Sequence, residues 1–193
     1  MLDWAELECG YYQGDTKPSS QCLKLADARL LKSHPFYDER GTFEVLWDAS
    51  LFRRFGFNFN PASSAFSYNE KENTLRGMHY QRPPYCQAKL VTCIRGSVID
   101  VIVDLRPHSP SYMRWAATEL TASSALSILI PKGFAHGFLT LTDHATMAYL
   151  IEGEYQPSAA GVIRWNDPAF GINWPALNPI LAQRDRLAED FVP

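Results

Sequence analysis

Short runs of strand-forming residues, set close together and separated by glycine and proline, constrain this fold most strongly. Two near-continuous runs follow each other at 89–94 and 97–105, joined by the tight connection Arg95-Gly96. Further runs with strand composition lie at 42–47, 64–69, 75–81, 115–120, 126–130, 138–141 and 146–151. Strands at this spacing are typical of a sandwich or barrel. The chain is therefore predicted to be all-β with a few short helices.

Helical patterns are confined to two short segments. Asp48 is a suitable N-cap for a helix that Gly56 would close, and a second helix is expected near Arg184. Residues 1–30 are irregular and are predicted to form an N-terminal extension that contacts a partner. Because no repeat or linker divides the rest, residues 31–193 are predicted to form a single domain.

The overall composition argues against several classes of function. The chain has 193 residues and a formal net charge of −3, with acids and bases interspersed, so no surface for nucleic acid is expected. No stretch approaches the roughly 20 apolar residues of a membrane span. The first twenty residues carry Asp3, Glu6 and Glu8 and no apolar run, which argues against a signal peptide. A soluble cytoplasmic protein without a membrane partner is the expectation.

Two histidines stand in similar surroundings. His79 and His136 each lie among apolar and aromatic residues, with a glycine close by. The second belongs to a Pro-x-Gly-x-x-His motif, a signature of the second half of the cupin barrel. Metal-binding cupins add a His-x-His and a glutamate, but the matching place here is His79-Tyr80-Gln81. A metal-dependent enzyme is therefore the less favoured alternative, since the other histidines lie beside turn or charged residues, at positions 34, 108 and 144.

Without a metal, these residues permit proton transfer beside a carbonyl. An imidazole has an unperturbed pKa near 6.5, which suits proton abstraction at neutral pH. A proton α to a carbonyl becomes removable when a cation meets the enolate oxygen, and Lys89 can supply that cation. A tyrosine on the opposite wall, Tyr149 or Tyr155, can return a proton to the other face, and Arg40 and Arg76 add positive charge. The combination is that of an epimerase without a cofactor.

Each of these residues also has an ordinary structural explanation. A histidine among apolar residues is often a hydrogen-bonded core residue. Lys89, at the start of a strand, can be a solvated edge residue, and the tyrosines can fill the barrel. Arg76 can pair with any nearby carboxylate. Only the joint pattern favours a functional site.

A series of motifs also appears in a characteristic order along the chain. The motifs occupy 75–81, 89–91, 100–106 with 109–110, 131–138, 164–168 and 171–175, together with Tyr149 and with Tyr155 followed by Pro157. In this combination they closely resemble the dTDP-4-dehydrorhamnose 3,5-epimerase family, over residues 36 to 185. The resemblance implies a cupin-type jelly-roll barrel and a homodimer with strand exchange at the N-terminal side.

The resemblance also implies roles for the residues that would transfer protons. His79 would be the base, and Tyr149 the acid on the other face of the sugar. Lys89 would stabilise the enolate oxygen, with His136 alongside the sugar. Asp185 would orient and polarise the base. No cofactor and no metal are implied.

The implied substrate is a nucleotide-diphosphate sugar. Arg40 and Arg76 would neutralise the diphosphate, for which bidentate guanidinium contacts are well suited. Tyr155 would stack on the nucleotide base. Gln81 and Arg184 are assigned to substrate binding as well.

Four places depart from the pattern of the family, and all lie where nucleotide or sugar substituents would be recognised. An acid is replaced by Val45, and a second acid by Ala160. A polar Gln-x-Asn pair is absent, with Ser64 and Phe66 at the nearest places, and a serine is replaced by Ala182. These departures affect the identity of the sugar nucleotide more than the chemistry.

The sequence therefore predicts a cofactor-independent epimerase of a nucleotide-linked 4-keto-6-deoxyhexose, inverting carbon 3, carbon 5 or both. Double inversion is modestly favoured. One alternative is an enzyme of the same fold that inverts carbon 3 alone. The other is a non-catalytic barrel that binds sugar nucleotides, against which the intact His79, Lys89, Tyr149 and Asp185 argue.

Overall fold

The computed structural model describes residues 25–193, together with the backbone of one short strand near the N-terminus. The strands are β1 Ala5–Glu6, β2 Arg29–Lys32, β3 Phe36–Asp38, β4 Gly41–Phe43, β5 Ser63–Asn69, β6 Leu75–Gln81, β7 Ala88–Arg95, β8 Ser97–Asp104, β9 Trp115–Thr121, β10 Leu126–Ile130, β11 Phe134–Thr140, β12 Ala145–Glu152 and β13 Ala160–Val162. The helices are α1 Ala49–Arg54, a 3₁₀ turn at Pro157–Ala159, and α2 Gln183–Arg186. None of the described helices is long and apolar enough to cross a membrane.

Two antiparallel sheets face each other. The first, sheet A, has the order β1-β2-β10-β7-β12-β5, and the second, sheet B, has the order β13-β6-β11-β8-β9. A separate hairpin is formed by β3 and β4. Strands that are neighbours in a sheet come from distant parts of the sequence, which is the jelly-roll arrangement. The predicted all-β class is confirmed.

Residues that alternate along the strands fill the space between the two sheets. The largest buried cluster includes Val91 and Ile102, which are fully enclosed, and Phe138, Ile128 and Met147. Burying an aliphatic or aromatic side chain of this size contributes about 1.5–3 kcal/mol. The interior is therefore a packed core over most of its length, and the polar site lies among its inward-facing positions.

Each sheet also has an apolar outer face that another part of the chain covers. Phe52 of α1 packs with Leu90 and Leu129 on the outside of sheet A. Phe170 and Trp174, in the C-terminal tail, pack on the outside of sheet B. The tail is thereby held against the strand that carries His79.

The helix predicted after Asp48 is confirmed. The Asp48 carboxylate accepts hydrogen bonds from the Ser50 and Leu51 backbone N–H groups at 2.8 and 2.9 Å. These bonds satisfy N–H groups that have no partner within the helix. The helix ends at Arg54, and Gly56 follows with a φ of 79°.

Several predicted boundaries differ from the structure because strand length depends on the partner strand. The strand expected at 42–47 extends only over β4, since its partner β3 has three residues. The strand expected from Phe138 begins four residues earlier, at Phe134, because β8 pairs with it from there. The short strands β2, β3 and β13 are not evident from local periodicity.

The N-terminal segment is only partly described. Leu25, Ala28 and Leu30 lie in the core between the sheets, although the sequence assigns them to the extension. The strand β1 pairs with β2 at the edge of sheet A. Residues 1–4 and 7–24 of the predicted extension, which include Cys9 and Cys22, lie outside the described residues.

Candidate active site

Two histidines lie side by side on adjacent strands. His79 of β6 and His136 of β11 are direct partners in the antiparallel register of sheet B. Partners of this kind project from the same face, with Cβ atoms roughly 4.5–5.5 Å apart. The His136 side chain is 6% exposed and that of His79 is 38% exposed. His79 is thus the more accessible of the two.

The glycines beside these histidines allow the two strands to approach closely. A Cβ on Gly77 would lie 2.6 Å from the Gly137 Cα atom. Gly77 also has a φ of 147°, a backbone conformation that side-chain-bearing residues rarely adopt. The register of the strands shifts at this place, between His136 and Phe138. Gly77, two residues before His79, and Gly137, next to His136, are therefore both required by strand packing.

His79 is bonded to a buried carboxylate from the C-terminal tail. Its Nε2 atom lies 2.7 Å from Asp185 Oδ1, and the Gly77 N–H donates to Asp185 Oδ2 at 3.2 Å. Burial alone would raise the pKa of Asp185, but the bonds from His79 and Gly77 outweigh it and lower that pKa. Because Asp185 occupies Nε2, the Nδ1 atom of His79 is left for a substrate.

Backbone pairing brings the tail to this position. Thr74, next to β6, forms a parallel bridge with Ile180. The Leu75 N–H donates to the Ile180 carbonyl at 2.9 Å, and the Ile180 N–H donates to the Asn73 carbonyl at 2.7 Å. Helix α2 begins three residues later and carries Asp185 on its buried side. The pairing of His79 with Asp185 therefore depends on a contact between residues 106 positions apart.

The second histidine has a carboxylate partner that the sequence analysis did not identify. His136 Nε2 lies 2.7 Å from Asp100 Oδ2. Asp100 is fully buried, and its Oδ1 atom has no hydrogen-bond partner within the described part of the chain. A charged residue inside the otherwise apolar run of β8 is the signal that could have indicated this role.

Lys89 lies on the opposite sheet. It belongs to β7, a central strand of sheet A, where it pairs with Ile130 on one side and Ile151 on the other. An edge position is therefore excluded. Burial lowers the pKa of Lys89, whereas the nearby charge of Asp100 opposes that shift. The buried carboxylate thus favours the charged form of the ammonium group.

Tyr149 lies on the same sheet as Lys89, one strand away. It pairs with Val91 of β7, and its hydroxyl lies 3.0 Å from Ser67 Oγ. Its ring meets the His136 ring edge-on, with centroids 6.4 Å apart. Burial raises the pKa of Tyr149, and the hydrogen bond with Ser67 only partly offsets this. The phenol is therefore held protonated, able to donate a proton.

Arg76 is the predicted phosphate-binding residue nearest to this group. Its Nε donates to Asn69 Oδ1 at 2.7 Å, and Asn69 in turn donates to the Ala145 carbonyl. Because Nε is engaged, the guanidinium is held in one direction while the side chain remains exposed. Asn69 is a further residue that the sequence analysis did not single out.

The other two predicted arginines lie at the surface. Arg40 stands at the turn of the β3–β4 hairpin, and its side chain is bonded to Asp38. Arg184 lies in α2, exposed beside Asp185, and its charge helps to lower the pKa of that carboxyl. Within a single chain, the charge of Arg184 thus acts on the carboxylate that holds His79, whereas Arg40 is bonded to Asp38.

Gln81 and Tyr155 occupy one end of the site. Gln81 lies two residues beyond His79 on β6 and is buried, with its amide bonded to backbone groups of two loops. Tyr155 lies in one of these loops, with its side chain largely exposed. The predicted nucleotide-binding residue is thus accessible, whereas the Gln81 amide is already engaged.

Phe66 does not line the site. It pairs with Ala148 on β12, whereas Ala65 pairs with Tyr149 and Ser67 with Met147. Because side chains alternate between the faces of a strand, Ala65 and Ser67 face inward and Phe66 faces outward, where it is 74% exposed. Within this chain, Phe66 therefore does not face the pocket that contains Tyr149.

The arrangement places proton-transfer groups on two facing walls. Sheet B carries His79, whose Nδ1 is available, and sheet A carries Tyr149, whose hydroxyl is protonated. Lys89, also on sheet A, can donate to a negatively charged oxygen, and His136 lies beside His79 on sheet B. Among residues 25–193, no group of three or more His, Cys, Asp or Glu side chains is placed to hold a metal ion. This geometry suits removal of a proton from one face of a substrate and its return to the other.

The sequence of this chain is similar to a family model and to relatives that carry the same description. A family model described as dTDP-4-dehydrorhamnose 3,5-epimerase matches residues 22–192. The dTDP-4-dehydrorhamnose 3,5-epimerase of Salmonella typhimurium is 39% identical over 166 residues, which cover 85% of this chain and 90% of the relative.

Solved structures are similar over the same range. The dTDP-4-dehydrorhamnose 3,5-epimerase of Bacillus anthracis, crystallised with TDP and PPi, superposes with a TM-score of 0.83 at 35% identity, covering 87% of this chain and 99% of the other. ChmJ of Streptomyces bikiniensis, described as a 3′-monoepimerase in complex with dTDP-quinovose, has a TM-score of 0.80 at 32% identity, covering 87% and 85%. The cupin-type jelly roll expected from the sequence is confirmed.

Proposed function

The chain belongs to the dTDP-4-dehydrorhamnose 3,5-epimerase family, and from this we propose that it inverts carbons 3 and 5 of a nucleotide-linked 4-keto-6-deoxyhexose without a cofactor. It is an isomerase of nucleotide sugars. The observation that carries the proposed mechanism is the placement of His79 and Tyr149 on facing sheets. Inversion of the configuration at a carbon that carries hydrogen requires a base on one face of the sugar ring and an acid on the other.

His79 begins the reaction as general base. Its Nδ1 takes the proton from the carbon next to the C4 ketone, and the imidazole becomes positively charged. Asp185, bonded to Nε2 at 2.7 Å, stabilises that charge and fixes the ring. Positioned general bases typically contribute about 10²–10⁴-fold to the rate.

The electrons of the broken bond move to the C4 oxygen, which becomes an enolate. Lys89 supplies the positive charge that this oxygen requires, and His136 lies alongside the sugar. Asp100 supports both groups, because it holds His136 through Nε2 and favours protonated Lys89. Preorganised donors of this kind are worth more inside a protein than in water.

Tyr149 completes the inversion. Its hydroxyl delivers a proton to the face of the ring opposite His79, and Ser67 orients that hydroxyl at 3.0 Å. The carbonyl at C4 then re-forms. Carbons 3 and 5 both flank the ketone, so one base serves both if the ring changes pose between the two events.

The remaining residues hold the nucleotide. We assign Arg76 to the diphosphate, because Asn69 fixes its guanidinium in one direction. Arg184 adds positive charge near the pair formed by His79 and Asp185. Tyr155 is exposed, so its ring can stack on the nucleotide base. Stacking of a nucleic-acid base on an aromatic side chain is worth about 1–3 kcal/mol.

The protein acts as a homodimer in the cytoplasm. The β3–β4 hairpin carries Phe36, Tyr37 and Phe43 in exposed positions, and Phe66 is exposed on sheet A. Exposed aromatic patches of this kind are typical of protein–protein contacts. Arg40 stands at the turn of that hairpin, so it contacts a diphosphate that is bound in the site of the second copy of the chain.

Two measurements test the dimer. Sedimentation equilibrium should give twice the chain mass. At a substrate concentration well below the raised KM of Arg40→Ala, mixing that variant with inactive His79→Ala subunits should increase turnover, because one site of the mixed dimer keeps both residues. A monomer that is fully active would contradict the dimer, and mixtures that show no gain in turnover would place Arg40 in the site of its own chain.

Turnover in deuterium oxide tests the chemistry. Incubation with the dTDP-linked 4-keto-6-deoxyglucose should introduce deuterium at carbons 3 and 5, detected by NMR or mass spectrometry. His79→Ala should abolish exchange at both carbons, and near-normal turnover by that variant would show that His79 is not the base. If tight binding occurs without exchange, the barrel binds sugar nucleotides without catalysis.

Inversion of carbon 3 alone is the second candidate. It is supported by the similarity to ChmJ, whose description is that of a 3′-monoepimerase, and by the apolar Val45 and Ala160 at the places noted above. Deuterium confined to carbon 3 would favour it. Label at both carbons would favour the double inversion proposed here.

A further inference from the structure

The amide of Gln81 makes three hydrogen bonds to the backbone at one end of the site. Gln81 is 7% exposed and is the last residue of β6, on the same face as His79. Its Nε2 donates to the Tyr85 carbonyl at 2.7 Å and to the Glu154 carbonyl at 2.9 Å. Its Oε1 accepts from the Gln156 N–H at 2.7 Å. Both N–H donors of the amide are therefore used within the protein.

Two of these bonds enclose Tyr155. The Glu154 carbonyl and the Gln156 N–H are the backbone groups on either side of it. Tyr155 as a whole residue is nevertheless 64% exposed. The backbone at this residue is thus fixed from inside the barrel, while the side chain faces outward.

We propose that Gln81 is a positioning residue that sets the affinity for the nucleotide through Tyr155, and that it does not bind the substrate through its own amide. The proposal rests on the assignment of Tyr155 to the nucleotide base. A loop held in its binding conformation before the ligand arrives loses less conformational entropy on binding. It also replaces the assignment of Gln81 to direct substrate binding.

The position of Gln81 predicts which kinetic constant changes. Stacking on the nucleotide base is the same in the ground state and in the transition state, so its loss raises KM and leaves kcat nearly unchanged. A residue that touched the reacting sugar would instead lower kcat. Gln81 and His79 share one strand, so unchanged kcat also shows that the strand has kept its place.

The test compares the binding of thymidine diphosphate with turnover in matched variants. Gln81→Leu keeps the volume of the side chain and removes all three bonds. Gln81→Glu keeps the acceptor for the Gln156 N–H and removes both donors, and it serves if the leucine variant does not fold. Gln87→Leu is the control, since Gln87 Nε2 donates to the Gly153 carbonyl at 3.3 Å, in the same loop but not beside Tyr155.

We expect Gln81→Leu to raise the dissociation constant of thymidine diphosphate at least about fivefold, the lower end of the contribution of one stacked base. KM should rise to the same extent, kcat should stay within about twofold, and Gln87→Leu should resemble the wild-type protein. Calorimetry at 25 °C, with folding checked by circular dichroism, supplies the dissociation constants.

The Tyr155→Ala background decides whether the effect passes through the tyrosine. If Gln81 acts through Tyr155, the double variant binds thymidine diphosphate as weakly as Tyr155→Ala alone. Additive losses, a fall in kcat, or unchanged affinity in Gln81→Leu would each overturn the proposal. So would unchanged affinity in Tyr155→Ala. Because binding is measured without turnover, a failure of the proposed epimerase chemistry would be recognised separately, by the absence of deuterium exchange.

Discussion

Replacement of Asp185 by asparagine or by alanine should slow the reaction to different extents, with asparagine the more damaging. The Gly77 N–H donates to Asp185 Oδ2. In an asparagine, the oxygen must therefore face Gly77, so that the amide NH₂ faces His79 Nε2. That NH₂ can only donate, which forces Nε2 to accept and places the ring proton on Nδ1. The nitrogen that should abstract the substrate proton is then already protonated.

The magnitude follows from the contacts. The 2.7 Å bond between His79 and Asp185 is charge-assisted once the imidazole is protonated, and such bonds contribute about 1.5–3 kcal/mol. At 1.36 kcal/mol for each factor of ten, loss of orientation alone costs about 10–150-fold, the expectation for Asp185→Ala. Asp185→Asn adds the wrong tautomer and should approach the roughly 10²–10⁴-fold loss of a missing general base.

The assay is deuterium wash-in at carbons 3 and 5 under saturating substrate, with kcat measured in parallel. Glu189→Gln, an exposed acid in the same tail, is the control and should behave as the wild-type protein. If Asp185→Asn kept more than about a tenth of the wild-type kcat, or if it were faster than Asp185→Ala, the orientation of His79 by Asp185 would not be important for catalysis.

Four further outcomes are expected. Tyr149→Phe should lose about 10²–10⁴-fold in epimerised product but keep part of the exchange at the face of His79, so wash-in without inversion should be detected by NMR. Lys89→Met should abolish turnover yet raise the melting temperature at pH 7. Because burial lowers the pKa of Lys89 in the folded state, the stability of the wild-type protein rises with pH towards the ordinary lysine pKa. The difference in melting temperature between the variant and the wild-type protein should therefore shrink as pH approaches about 10. Arg76→Ala should raise KM with little change in kcat, because the diphosphate is bound equally in the ground and transition states. If Arg76 acted on the reacting sugar instead, steady-state kinetics would show a fall in kcat with little change in KM. Activity should survive exhaustive chelation. If elemental analysis found one metal ion per chain, and removal of that ion stopped turnover, the metal-free mechanism would be contradicted.

Local sequence patterns determined most of the strands and the capped helix. The runs at 75–81 and 126–130 alternate or continue as strands do, and the structure confirms their bounds. The run at 97–105 extends one residue beyond the strand that it predicts. Asp48 determined the start of α1 in the same way, because an N-cap acts on its own neighbours. These features depend on interactions within a few residues, so the sequence alone was enough to predict them. The family resemblance added the class of reaction.

The pairing of strands was decided by tertiary structure. His79 lies opposite His136 only because β6 and β11 pair in one register, and a shift of one residue would turn one histidine to the other face. The same alternation turns Phe66 outward and leaves Ala65 and Ser67 facing Tyr149. No property of the residues near Phe66 reveals which face of its strand is covered.

The partners of the catalytic groups also depended on contacts distant in sequence. Asp185 reaches His79 because the tail pairs with the chain before β6, and Asp100 reaches His136 because β8 and β11 are neighbours. Burial then changed the proton affinity of both groups, raising the pKa of Tyr149 and lowering that of Lys89. The sequence determined which groups could transfer protons; the folded chain decided which of them face each other and in which protonation state, because desolvation and hydrogen-bond geometry exist only after the sheets have closed.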